Sequence, residues 1–148
     1  MGFFGALDIS ASGLTAQRLR LDTISQNIAN VNTTNTRDGT PYRRKVPVFE
    51  ERVQRGVSFD GYLRSAFRGD SLGIGVRVSR IIEDTAPFKL VYEPGHPDAN
   101  AEGYVRMPNV NIVQEMVNMI SATRSYESNI TAINSTKAML ARTLELGR

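Results

Sequence analysis

The chain has 148 residues, of which 41% are hydrophobic and 22% charged, with a formal net charge of +3 and no cysteine. That length allows one conventional core but not two, and the composition is that of an ordinary globular chain rather than a disordered or fibrous one. The missing cysteine excludes a disulfide framework, a thiolate metal site and a cysteine nucleophile together. The charge is uneven: residues 37–80 hold ten Lys or Arg against five Asp or Glu, and residues 81–148 hold six against eight. A basic middle and a slightly acidic end suit either an anionic ligand or contact between copies of the chain.

At the N-terminus, Met1 to Asp8 lacks the basic region and sustained apolar run of a secretory signal, and no window reaches membrane-spanning length. Leu7, Leu14, Leu21 and Ile28 then recur every seven residues, with Ala11, Ile24 and Val31 on the same face. This predicts a helix with a narrow apolar stripe, weakened at Gly13. The polar run Asn27, Asn30, Asn32, Thr33, Thr34 and Asn35 ends it, because short polar side chains compete for backbone hydrogen bonds.

Residues 36–108 contain all six prolines and most of the glycines, and their periodicity changes from helical to two-residue. Ile74, Val76 and Val78 alternate with Gly75, Arg77 and Ser79 as in a strand with one buried face. Lys45 to Phe49 and Phe88 to Tyr92 are further strand candidates. The stretch 53–70 has no clean period and reads as a long loop.

From Asn111 to the end there is no proline, and the sole glycine is Gly147. Ile112, Met116, Met119, Thr123, Tyr126, Ile130, Ile133, Lys137, Leu140 and Leu144 follow at alternating spacings of four and three, a heptad seam along a helix of roughly 35 residues and ~50 Å. Asn111 is placed to cap its start. Narrow stripes do not fill a globular core, but one long helix lies well along another. The expected fold is therefore α+β: long N- and C-terminal helices paired as an antiparallel coiled coil, with a small β-rich, loop-containing insert. Residues 1–35 with 109–148 form the helical unit and 36–108 the insert. Apolar groups left over on such a pair, Val113, Val117 and Ile120 among them, call for cover by neighbouring copies, and the ends are expected to order on assembly.

Catalytic and ligand-binding readings find little support. The single histidine, His96, lies between Gly95 and Pro97 in a turn, and His96, Asp98 and Glu102 match no closed metal site. Gly73-Ile74-Gly75 lacks the third glycine and the helix of a dinucleotide site. The basic and aromatic cluster around Tyr42, Arg43, Arg44 and Lys45, with Arg52, Arg55, Arg64 and Arg68, makes nucleic-acid binding the alternative function, although a net charge of +3 is modest for it. The polar faces, which carry Asp22, Glu115 and Glu127 beside Arg18 and Arg20, lack the basic excess of a membrane-surface helix. No cofactor is called for.

Ser25-Gln26-Asn27-Ile28-Ala29-Asn30-Val31-Asn32-Thr33 resembles the N-terminal signature shared by flagellar rod and hook proteins. A second block, Leu90-Val91-Tyr92-Glu93-Pro94-Gly95-His96-Pro97-Asp98-Ala99 followed by Gly103-Tyr104-Val105-Arg106-Met107-Pro108-Asn109-Val110-Asn111, is similar to the C-type branch of the proximal rod proteins. Thr40-Pro41-Tyr42-Arg43 departs from the general pattern, arriving late and without its glycine. The resemblance covers residues 7–33 and 90–146 and fits the middle only loosely. It implies a structural subunit of the flagellar basal-body rod: a torque-transmitting shaft in the periplasmic space, assembled helically and exported by the flagellar type III apparatus without a cleaved signal. The implied partners are other proximal rod proteins, the protein joining the rod to the membrane ring, the distal rod protein and further copies of the chain. Neither nucleic acid nor membrane insertion is implied. The residues implied to carry assembly are Leu7, Leu14, Leu21, Ile24, Ile28, Val31, Ile112, Met116, Met119, Tyr126, Ile130, Ile133, Leu140 and Leu144. Those of the family motif are Ser25, Asn27, Ala29, Asn30, Asn32, Thr33, Pro94, Gly95, His96, Pro97, Gly103, Tyr104, Pro108 and Asn109.

Overall fold

A computed structural model describes residues 3–52 and 74–146, so the loop expected over 53–70 lies outside the described residues. In chain order the elements are α1 (Phe3–Ala29), β1 (Lys45–Glu51), β2 (Val76–Glu83), β3 (Lys89–Tyr92), β4 (Tyr104–Met107) and α2 (Ile112–Leu146). The strands form two separate antiparallel hairpins, β1–β2 and β3–β4. This is the expected α+β arrangement of two long helices around a small β insert.

Asn111 caps α2 by accepting the Val113 N–H at 3.1 Å. At the other turn, α1 ends where the Asn30 side chain binds the Gln26 carbonyl at 2.9 Å and the Thr33 N–H reaches the Asn30 carbonyl. Along both helices the hydroxyls of Thr15, Thr23, Thr123, Ser125, Ser128, Thr131, Thr136 and Thr143 donate to the carbonyl four residues back. These side chains are thereby satisfied within their own helix.

The helices run antiparallel. Gly13 faces the Asn129 side chain, Asn27 bonds to Glu115, and the two spans between these contacts are equal in length. The apolar seam has the right period but is rotated from the face the helices share. On α1 the buried positions are Ser12, Gly13, Ala16, Thr23, Ile24 and Asn27, of which Gly13 and Asn27 meet α2 while Ser12 and Ala16 lie toward the β1–β2 hairpin; Leu7, Leu14, Leu21 and Ile28 sit half-buried at the flank. On α2 the buried line is Glu115, Ala122 and Thr136, with Asn129 half-buried in the same seven-residue series. Met119, Tyr126, Ile133 and Leu140 flank it, and Ile112, Met116, Ile130 and Leu144 are exposed. Small and polar side chains at the centre let the helix backbones approach, because interaxial distance follows the size of the groups at the contact. A Cβ added at Gly13 would already stand 3.0–3.2 Å from Asn129 side-chain atoms.

The β1–β2 hairpin lies along α1. Lys45 meets Asn27 at one end, and near the other the Val76 N–H bonds to Ser12 Oγ at 3.1 Å and Arg52 pairs with Asp8 at 3.5 Å. Its register slips at Val48/Phe49, where Ser79 donates to the Val48 carbonyl. The smaller hairpin turns through Gly103 (φ +83°), packed against Tyr92, whose ring meets that of Tyr104 edge-on at 5.3 Å. Strands were expected near β1, β2 and β3. The four-residue β4 was missed, because Tyr104 to Met107 reads only as part of a motif block.

Gly75 (φ +122°) carries the sharpest local constraint, because a Cβ there would run into Ser12 Oγ. Gly39 (φ +69°) has open space around it. Replacement by alanine should therefore cost about 1 kcal/mol at Gly39 and about 3 kcal/mol at Gly75, where clash adds to backbone strain. Urea unfolding of the two variants measures the difference.

Candidate functional site

The polar groups converge at one node, where the C-terminal end of α1, the start of β1 and the first turn of α2 meet. Glu115 on α2 is 1% exposed. One of its oxygens accepts from Asn27 Nδ2 at 3.0 Å, and the other from Arg44 Nε at 2.9 Å, Arg44 Nη2 at 2.8 Å and Asn118 Nδ2 at 3.3 Å. A carboxylate this deep is tolerable only because a guanidinium and two amides surround it.

Asn27 uses its whole hydrogen-bonding capacity. Nδ2 donates to Glu115 and to the Lys45 carbonyl at 2.8 Å; Oδ1 accepts the Lys45 N–H at 2.9 Å and the Tyr42 hydroxyl at 3.0 Å. Toward Lys45 the carboxamide thus behaves as a neighbouring strand would. Arg44 reaches on to Asp84 at 3.3 Å, its N–H binds Asn109 Oδ1 at 2.8 Å, and Asn109 Nδ2 donates to the carbonyls of Asp84 and Ala86. Both helices and the segments flanking the hairpins are tied at this node.

Burial alone would lower the Arg44 pKa, but the hydrogen bond and charge of Glu115, followed by those of Asp84, outweigh it and hold the guanidinium above its ordinary value. Burial raises the Tyr42 pKa, and the carboxylates of Glu83 and Glu115 raise it further, so its hydroxyl stays a donor to Asn27. The Asp84 carboxyl is held below its ordinary range chiefly by the Ala86 N–H; burial opposes this, and the hydrogen bond and charge of Arg44 and then the charge of Arg43 add to the lowering.

The motif residues separate by role. Asn27 and Asn109 belong to the node, and Pro108 is buried beside it. Asn30 and Thr33 make the turn after α1, where the Thr33 hydroxyl donates to Asn30 Oδ1. Asn27 thus fixes the register of three elements, whereas Asn30 only closes a helix. Gly103 and Tyr104 shape the small hairpin, and His96 Nδ1 accepts the Asp98 N–H at 3.1 Å in its own turn. The Thr34 hydroxyl, one residue beyond the first motif block, donates to Asp98 of the second at 2.7 Å beside a cleft of about 380 Å³. Ser25, Ala29, Asn32, Pro94, Gly95 and Pro97 are exposed.

Sequence reasoning put Glu115 on a polar outer face; the structure buries it. Arg44, Tyr42 and Asp84 were likewise not singled out for this role. The available signal was the seven-residue recurrence of Glu115, Ala122, Asn129 and Thr136, a phase hidden by the larger side chains beside it. The basic cluster is engaged internally: Arg43 stacks 4.3 Å over Phe88 and binds the Asp84 carbonyl, Arg44 holds Glu115, and the Lys45 ammonium lies 5.7 Å over Tyr42. Nothing supports the nucleic-acid alternative. Arg55, Arg64 and Arg68 lie outside the described residues.

Large apolar side chains remain outside this framework: Val113 is 71% exposed, and Met116, Val117 and Ile120 are each 55% exposed. No helix among the described residues is long and apolar enough to cross a membrane. An antiparallel helix pair whose polar groups lock its own register, and whose larger apolar groups face outward, defines a helical building block for assembly.

Residues 7–35 match the family described as flagella basal body rod protein, and residues 101–146 match the flagellar basal body rod FlgEFG protein C-terminal family. The chain is 49% identical to the flagellar basal-body rod protein FlgC of Bacillus subtilis, with 100% of each chain covered. It is 48% identical to that of Borreliella burgdorferi, with 99% of this chain and 98% of the relative covered, and 45% identical to that of Salmonella typhimurium, with 100% of each covered. The chain belongs to the FlgC family of flagellar basal-body rod proteins, which are structural proteins and not enzymes.

Asn27→Ala strands a buried carboxylate oxygen, a strand N–H and a strand carbonyl together, and should cost about 3 kcal/mol; Asn30→Ala, in an exposed turn, should cost less than about 1 kcal/mol. Chemical denaturation of both variants tests this. Because the folded pKa of Asp84 is depressed, its stabilisation is present above the unfolded value of about 3.9 and is lost as pH falls through the folded one. The stability gap between wild type and Asp84→Asn, measured by urea titration, should be open at pH 6 and close as pH drops below about 4.

Proposed function

We propose that this chain is a subunit of the proximal part of the flagellar rod, and that it builds the shaft by packing its helix pair against those of neighbouring subunits. The outward apolar row Ile112, Val113, Met116, Val117 and Ile120 carries this reading. Such a row is costly in water and gains roughly 25 cal/mol for each Å² covered. Residues 1–35 and 109–148 act as the assembly unit, and the insert 36–108 decorates it. Leu7, Leu14, Leu21, Ile28 and Val31 on α1 and its following turn, and Ile130 and Leu144 on α2, extend the contact surface beyond that row. Ile24, Met119, Tyr126, Ile133 and Leu140 hold the two helices together as one unit.

In this reading the subunit lies in the periplasmic space, having been exported by the flagellar type III apparatus without a cleaved signal. Its neighbours are other proximal rod proteins, the membrane-ring junction protein, the distal rod protein and further copies of itself. Contacts between unlike surfaces that do not close into a ring propagate as a helix, and long packed helices resist twisting. The helix ends gain order as neighbours cover them.

The test is Val117→Asp. Val117 is exposed, so the purified variant should keep its helix content by circular dichroism and its melting temperature within a few degrees. In cells it should fail to enter basal bodies, and motility should be lost. Incorporation at the wild-type level would sink the proposed interface.

A further inference from the structure

Each hairpin leaves strand edges toward solvent, and the chain closes some of them and not others. The outer edge of β1 is closed: Asn27 takes both the N–H and the carbonyl of Lys45, Pro47 has no N–H to offer, and a bulge follows at Val48/Phe49. The outer edge of β4 is closed at Tyr104, whose N–H and carbonyl both bond to Asn100.

The outer edges of β2 and β3 are different. The Asp84 N–H points inward to the Arg44 carbonyl, while Lys45, the partner of Glu83, points its backbone groups away toward Asn27. By the alternation of an antiparallel ladder, Ile81 and Glu83 therefore turn their N–H and carbonyl groups outward. The Glu93 N–H points inward to the Gly103 carbonyl, so Leu90 and Tyr92 on β3 turn theirs outward. Among the described residues none of these groups has a hydrogen-bond partner. The side chains there are exposed too, Leu90 at 64% and Tyr92 at 63%.

Both open edges present outward backbone groups at a spacing of two residues. We infer that the outer edge of β2 in one copy pairs antiparallel with the outer edge of β3 in a second copy, with Ile81 opposite Tyr92 and Glu83 opposite Leu90. Charge selects the partner and the register. In this alignment Arg80 stands opposite Glu93, Ile82 opposite Val91, and Asp84 opposite Lys89. Opposite charges therefore meet at the Arg80–Glu93 end and apolar side chains in the middle, while at the other end Asp84 is already held by Arg44 and the Lys89 ammonium by the Val110 carbonyl within the chain. Arg80 and Glu93 have no ionic partner among the described residues. A two-residue slip one way puts Ile81 opposite Pro94, which has no N–H. A slip the other way puts Arg80 opposite Val91 and Lys89 opposite Ile82, and the Arg80–Glu93 pair is lost. Because β2 and β3 are different surfaces, the contact is head-to-tail and adds a backbone-mediated link to the helix packing. The inference rests on the reading of the chain as a rod subunit that contacts its own copies.

The chain has no cysteine, which makes the test specific. Ile82→Cys and Val91→Cys, both at exposed positions, are expressed as two differently tagged copies in flagellated cells where they replace the resident rod protein, and isolated basal bodies are oxidised. A disulfide joining the two tags, absent when either variant is present alone, is the expected result. Arg80→Glu should cut incorporation several-fold, and Arg80→Glu/Glu93→Arg in one chain should restore it. If both cysteine variants enter basal bodies and no mixed disulfide forms, or the charge reversal does not restore incorporation, the strand pairing is wrong while the rod reading stands. A chain absent from basal bodies would overturn both.

Discussion

The rest of the structure depends on a single buried carboxylate. Glu115 sits in the first turn of α2, where the unpaired N–H groups of a helix start already favour a negative charge. Arg44 supplies the compensating cation, and Asn27 brings α1 to the same point. Removing either partner would leave an ion in a nearly dry site, so this contact tolerates only one alignment of the helices. Hydrophobic stripes alone would not give that discrimination, because a shift of one heptad still sets apolar against apolar.

The node also explains how a small insert can be held between two long helices. The bond between Asn27 and Glu115 closes a stretch of chain that includes both hairpins, and Asn109 then ties the Asp84–Ala86 segment to the backbone of Arg44. Closing so long a stretch is entropically costly, but the cost grows only slowly with length, and several bonds share one closure. The β1–β2 hairpin then lies along α1, clamped at Asn27 and again at Ser12. The clamp at Ser12 requires the backbone at Gly75 to adopt a conformation that suits only glycine.

Much of this was legible in the sequence. The helices and their order followed from periodicity, the end of α1 from its polar run, the length of α2 from the lack of proline and internal glycine, and the antiparallel pairing from an insert that returns the chain; three of the four strands lay near alternating segments. The phase of the helix contact was not legible. Large side chains such as Ile112, Met116 and Leu144 dominate any reading of apolar pattern, but the contacts between the helices are Gly13 against Asn129 and Asn27 against Glu115, with Ala122 and Thr136 buried on α2, and these small and polar groups contribute little to an apolar stripe. Glu115 was misread for a related reason: a carboxylate in a first helical turn has an adequate local explanation, and only its partners, 71 and 88 residues away in the chain, reveal that it is buried. Asn27 stood out because it lies in a recognisable motif, yet local chemistry could not distinguish its role from that of Asn30.

The hydroxyls along the helices have a consequence for any surface laid against them. Thr15, Thr123, Ser128, Thr131 and Thr143 are solvent-facing, yet each has already given its proton to its own backbone. Covering such a group strips away water without orphaning a donor, so the donor's share of the desolvation penalty is removed. At these positions the helix offers a neighbour no donor left to satisfy. A neighbour packed against these hydroxyls does not have to present a matching acceptor.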